Sequence, residues 1–288
     1  MATKRKPVWK EVEERDARKL SSRVRSQRSK HNQRITKKRL RVVYDVNGPR
    51  VRLGVLWFLL NLAVLTTGRW PFSVLWALTG GVAALQTAKV WRAANQRPDR
   101  IVAGAGATAI GIAGAVRTGV VGIAILALVA AALFSAFSAA AANRRRNPVD
   151  DASFTIRCAL FAGFAVACVA VTARFEYGAA VALILVVSAY ETGDYLVGSG
   201  SSNPYEGPVA GMTAILVVTF AVTALGIKPF EFPRAFLFGG MACVLCPLGQ
   251  LAASAILPKA DAPASALRRI DSILLLAPVW ALAVGLVV

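Results

Sequence analysis

Fifteen Asp and Glu residues are few for a chain of 288, so the place of each is informative. Glu191 and Asp194 lie in SAYETGDYLVG, at the end of an apolar run. Their i, i+3 spacing puts both carboxylates on one face of a helix. Glu206 follows in SSNPYEGPVAG, just before the next apolar run, and Asp271 opens the last one in ALRRIDSILLLAPVW. Ionisable groups in membrane helices are costly and face a cavity or a partner. Four carboxylates near helix ends, all on one side, offer the oxygen ligands that a hard cation such as Mg²⁺ takes. The competing reading is structural: Glu191 or Asp271 pairs with Arg268 or Arg269, or Asp271 favours the N-terminus of its helix. The Gly/Ser-rich loop 198–207 has backbone N–H groups able to wrap a phosphate, although such loops also simply connect helices. Asp99, Asp150, Asp151, Glu176 and Glu231 fall among basic residues and read as solvated loop charge.

The elements that must position these groups are apolar. The chain is 56% hydrophobic and only 17% charged, against about 25% charged in soluble domains. Its apolar residues come in long runs, and about 20 such residues make a helix that crosses a bilayer. Nine runs stand out, at about 53–67, 72–90, 101–116, 120–142, 154–173, 179–197, 209–226, 235–257 and 271–288. The expected fold is an all-α polytopic membrane protein with about nine transmembrane helices, or eight if one of the short runs is re-entrant. This excludes a secreted disulfide scaffold, a coiled coil and a wholly disordered chain. Cys158, Cys168, Cys243 and Cys246 all fall within apolar runs and read as packed thiols.

Residues 1–52 hold 18 Lys and Arg against 5 Asp and Glu, a net charge of +13. They form a basic arm without an apolar stretch, so the arm is not a secretory signal peptide. The remainder, 53–288, is the transmembrane domain. With the arm in the cytoplasm, the inner loops carry ten basic residues and the outer loops five. The positive-inside rule then places the N-terminus in the cytoplasm and the C-terminus outside, in a multi-pass protein of the inner or plasma membrane. The arm reads as a solvated tail that fixes topology, or as a contact for anionic phospholipid headgroups. Trp9 and Tyr44 are its only aromatics, which is no stacking platform for nucleic acid. A homodimer is compatible with the sequence.

Two short motifs are weak. Gly104-x-Gly106-x-x-Ala109 resembles a dinucleotide fingerprint but lies inside an apolar run, without the preceding strand that the fingerprint needs. The small residues of GAGATAIGIAGA instead suit close helix packing. Cys243-x-x-Cys246 also sits inside a run and reads as packing.

The C-terminal half, and more faintly the chain from about residue 75, resembles the phosphatidate cytidylyltransferase (CDP-diacylglycerol synthase) family. That family carries an Asp-x-x-Ala-Tyr-x-x-Gly segment, to which Glu191-Thr-Gly-Asp194-Tyr195-Leu-Val-Gly198 is similar. Ser202-Asn-Pro204-Tyr205-Glu206-Gly207 resembles its Ser-Pro-Lys-Lys-Thr-x-Glu-Gly loop without the lysines. Gly249-Gln250-Leu251-Ala252-Ala253-Ser254 keeps the Gly and Ser of Gly-Asp-x-x-Glu-Ser, with Leu257-Pro258 where the family has Lys-Arg. Arg268-Arg269-Ile270-Asp271-Ser272 is similar to the terminal Asp-Arg-x-Asp-Ser, with Arg for the first Asp, and the family's Gly-His-Gly-Gly stretch is missing.

The resemblance implies a cytidylyltransferase-like half at 174–288, preceded by N-terminal helices at 53–173. It implies Mg²⁺-dependent transfer of CMP from CTP to a lipid phosphate in phospholipid biosynthesis. Asp271, Ser254 and Arg269 would be catalytic. Glu206, Tyr205 and Lys259 would bind the nucleotide. Asp271, Glu191 and Asp194 would hold the metal. The alternative, which the altered signature also suits, is an inactive relative that works as a membrane scaffold or lipid-binding partner. A transporter is the third reading, weakened because no acid lies mid-run.

Overall fold

The computed structural model describes residues 50–142, 147–201, 203 and 205–288, and the side chains of the first helix from Gly54 onward. Nearly all of the expected basic arm and the arginines at 144–146 lie outside the described residues. Within them the chain forms ten helices and no strand: α1 (Arg50–Thr67), α2 (Arg69–Ala93), α3 (Arg100–Val116), α4 (Thr118–Ala142), α5 (Pro148–Phe175), α6 (Tyr177–Gly198), α7 (Glu206–Ala224), α8 (Arg234–Ile256), α9 (Ser265–Arg269) and α10 (Ile273–Val287). Each of the nine apolar runs falls on one helix. The short α9 was not expected, and Asp271 does not open the last helix: it sits in the turn between α9 and α10.

Five helices, α4 to α8, are long and apolar enough to cross a membrane. The shorter α3 and α10 have 17 and 15 residues. At 1.5 Å per residue α10 reaches only about 22 Å, short of a hydrocarbon layer roughly 30 Å thick. α2 is long, but Gln86, Lys89 and Arg92 load its second half with polar groups.

Polar residues between the runs start the helices. Asp99 caps α3, its Oδ1 accepting from the N–H groups of Ile101 (2.9 Å) and Val102 (3.1 Å). Asn147 caps α5 with Pro148 in its first turn, and Glu176 caps α6 through the Gly178 amide. These side chains satisfy N–H groups that a helix cannot satisfy internally.

α5 is the centre of the bundle. It packs on α2, α3, α4, α6 and α10, and 67% of its most apolar window is buried against 22% for α4. α4 instead turns Ile123, Leu126 and Phe134 outward, as a lipid-facing helix does. The small residues of α3 permit the inner packing. A Cβ added at Gly114 would overlap the Ala167 carbonyl of α5 and lie 2.9 Å from the Ala167 Cα, so the two backbones meet there directly. α6 packs on α7, α7 on α8, and α8 on α10.

A chain of contacts gathers alternate helix ends on one face. The Trp91 indole at the end of α2 donates to the Ile256 carbonyl at the end of α8 (3.0 Å). Arg157, near the start of α5, stacks over Trp91 and donates to the Ala255 carbonyl (2.6 Å). The Asp99 amide before α3 donates to Thr155 of α5 (2.8 Å), and Ser135 late in α4 donates to the Asp99 carboxylate. Gln86 of α2 accepts from the Ala266 amide of α9 (2.8 Å).

Candidate functional site

The end of α6, the last turns of α8 and the turn after α9 enclose a buried polar cluster on that face. It begins with close backbone approach. Gly249 of α8 rests on the Asp271 turn so tightly that a Cβ would overlap the Asp271 carbonyl oxygen and stand 3.1 Å from that of Ser272. Residue 249 must therefore be glycine for the turn to dock.

Side chains then knit the three elements. Tyr190 of α6 is fully buried and donates its hydroxyl to Gln250 Oε1 (3.1 Å). Gln250 Nε2 donates to Asp194 Oδ2 (3.0 Å), also buried. The Ser254 hydroxyl donates to the Gln250 carbonyl (3.1 Å) and accepts from Arg268 Nη1 (3.1 Å). Arg268 also donates to the Ala260 carbonyl (2.6 Å) and pairs with Asp271 Oδ2 (3.6 Å). Ser272 donates to Asp271 Oδ1 (3.3 Å). Arg268 thus ties α8, the loop after it and the Asp271 turn together.

Glu191 completes the cluster. Its charged neighbours are Asp271, Arg269 and Asp194, and it shares a hydrogen bond with Ser272. Its Oε1 is buried without a hydrogen-bond partner. A buried carboxylate oxygen without a donor is costly. It is the kind of group that a cation or a protonated partner relieves.

Several of the expected site residues meet here. Glu191, Asp194 and Asp271 are mutual neighbours, with Ser254 and Arg269 beside them. Among the described residues, however, no group of three His, Cys, Asp or Glu is arranged to hold a metal ion. Glu206, Tyr205 and Lys259 are placed differently. All three are exposed, and Glu206 accepts from Ser201 (2.6 Å) in the Gly/Ser loop. The sequence reading did not single out Tyr190 as part of the site, although an aromatic hydroxyl beside Glu191 and Asp194 in an apolar run was the available signal. Gln250, which stands where the resembled signature has Asp, bridges Tyr190 and Asp194.

The loop acid Asp99 is also more than solvated charge. Partial burial alone would raise its pKa. The Ser135 hydroxyl, the Val102 and Ile101 amides and Arg92 outweigh that burial and hold the carboxyl below its usual value.

The fold and the cluster together define a helical membrane protein with a buried carboxylate and arginine site at one end of its bundle. No family model matches the chain, and neither does any curated protein or solved structure.

Proposed function

We propose that the chain is a divergent, membrane-embedded cytidylyltransferase of the CDP-diacylglycerol synthase kind. Its nine apolar helices would cross the membrane in alternation, with the cluster at the cytoplasmic face, where CTP is found. The reading rests on the resemblance at residues 191–198, 202–207, 249–254 and 268–272. The observation that carries it is the convergence of Glu191, Asp194 and Asp271 with Ser254 and Arg269, from segments up to 80 residues apart.

In the proposed reaction a phosphate oxygen of phosphatidate attacks the α-phosphorus of CTP. The new P–O bond forms as the bond to the β-phosphate bridge breaks, giving CDP-diacylglycerol and pyrophosphate. Arg269 would offset the negative charge of the phosphates, and Ser254 would orient Arg268. Glu206, Tyr205 and Lys259, all exposed, would bind the nucleotide. Glu191, Asp194 and Asp271 are the residues that the resemblance would assign to Mg²⁺, although as placed among the described residues they do not form a metal site. When bound, the metal would neutralise phosphate charge.

One observation favours a second reading. The bridge from Arg268 to Asp271 (3.6 Å) puts a fixed positive charge where the family has an acid. That suits an inactive relative that serves as a membrane scaffold or lipid-binding partner. In both readings the basic arm would hold anionic phospholipids.

A transfer assay on the purified full chain with CTP, phosphatidate and Mg²⁺ decides. Formation of CDP-diacylglycerol that is abolished in a folded Asp271→Asn variant is the expected result. No transfer above background would leave the inactive relative as the reading.

A further inference from the structure

The short α9 carries both arginines of the cluster, so whatever holds α9 decides where those two charges stand. Arg268 reaches Ser254 of α8 and Asp271. Arg269 has Glu191 as a charged neighbour and lies against α1, where a Cβ added at Gly54 would stand 3.5 Å from its Nη1. Successive residues of a helix point about 100° apart, so a single orientation of α9 aims both guanidinium groups.

α9 does not hold itself in place. Isolated helices below about 12–15 residues are marginal in water, and α9 has five residues. Its N-cap residue is Ala264, whose side chain has no oxygen to accept from the first turn. The acceptor comes from α2 instead. Gln86 Oε1 accepts from the Ala266 amide (2.8 Å) and from the Ser265 hydroxyl (3.4 Å), 179 or 180 residues away along the chain. α9 packs on α2 and buries Leu267. Further along α2, Trp91 donates to the Ile256 carbonyl (3.0 Å). The loop 257–264 is therefore pinned to α2 on both sides, and Arg268 reaches across it to the Ala260 carbonyl (2.6 Å).

We infer that Gln86, in the N-terminal half of the chain, is a positioning residue for the cluster: by capping α9 it holds Arg268 and Arg269 against Asp271 and Glu191. Gln86 acts through α9 alone, and its Oε1 is the atom that does so. Glutamate keeps an acceptor at that reach, methionine fills similar space without one, and asparagine is one methylene too short. The consequence for catalysis rests on the transferase reading, whereas the consequence for the Asp271 turn does not.

The test uses the full chain in phosphatidylcholine nanodiscs. Amide hydrogen exchange is read by mass spectrometry over residues 264–268 and 271–276, beside the transfer assay. In Gln86→Met the Ala266 amide loses its acceptor, and its exchange should quicken about fivefold, the worth of one hydrogen bond. The Leu274 amide donates to the Asp271 carbonyl (3.2 Å), and its exchange should quicken too, because the turn follows α9. Gln86→Glu should keep both segments at wild-type rates. Gln86→Asn should behave as Gln86→Met does, and it carries the decision if the methionine variant fails to fold. Transfer, where the wild type shows it, should fall in Gln86→Met and Gln86→Asn and be kept in Gln86→Glu. Quickening confined to 264–268 would make Gln86 a local cap only and overturn the inference. Unchanged exchange in both segments, or quickening in Gln86→Glu equal to that in Gln86→Met, would overturn it as well. A wild type without transfer removes the transferase reading and leaves the exchange rates to decide the role of Gln86.

Discussion

Replacing Gln250 by Leu tests whether the cluster is a connected network. The side chain is 6% exposed and makes two hydrogen bonds, one accepting from Tyr190 and one donating to Asp194. A neutral pair of this kind is worth about 1 kcal/mol and one to a carboxylate about 1.5–3 kcal/mol. Leucine is similar in size, so little cavity forms and the loss is mainly polar. The expected destabilisation is about 3 kcal/mol, which lowers the unfolding midpoint by roughly 6–12 °C in a chain of this size. Thermal unfolding in detergent, followed by tryptophan fluorescence, measures it at a fixed scan rate. Tyr190→Phe alone should cost about 1 kcal/mol. The double variant should cost less than the sum, because both changes remove the same Tyr190–Gln250 bond. A Gln250→Leu protein that melts within a degree of wild type, or strict additivity in the double variant, would refute the network.

Asp99→Asn should destabilise the protein at neutral pH. The native carboxyl is held below its ordinary value, so its stabilising contribution is present above the unfolded-state pKa and is lost as pH falls through the lower native one. The gap between wild type and Asp99→Asn in unfolding midpoint should stay constant from pH 7 to about pH 4 and close only below that; closure already by pH 5 would contradict the assignment. Gly114→Val must push α3 off α5 at Ala167, and it should cost about 1–3 kcal/mol or more by overpacking, seen as a lowered midpoint; no change would mean that the backbones are not in contact. A cysteine at Lys259, which is exposed, should react with membrane-impermeant reagent only after cells are opened, and labelling of intact cells would reverse the proposed topology. Removing residues 1–38 should leave the bundle folded and weaken binding to anionic liposomes at low salt, so equal liposome binding would remove the arm from lipid recognition.

Composition and periodicity alone mark this chain as a helical membrane protein. Each of the nine apolar runs falls on one helix, and five of those helices are long and apolar enough to cross a membrane; an apolar stretch away from water must satisfy its backbone internally, and that demand is local. The caps at Asp99, Asn147 and Glu176 were visible as polar residues just ahead of apolar runs, though the sequence reading took Asp99 and Glu176 for solvated charge. The i, i+3 pair of Glu191 and Asp194 was likewise readable, since helix geometry sets which residues share a face. What lies across the chain was not. That Gln250 bridges Tyr190 to Asp194, and that Arg268 closes on Asp271 and Ser254, depends on how α6, α8 and the turn at Asp271 dock. That docking turns on the missing Cβ at Gly249, whose meaning appears only once the facing backbone is known. The same holds for the exposed positions of Glu206, Tyr205 and Lys259. Their spacing along the chain carries no information on burial, which is decided by the helices packed around them.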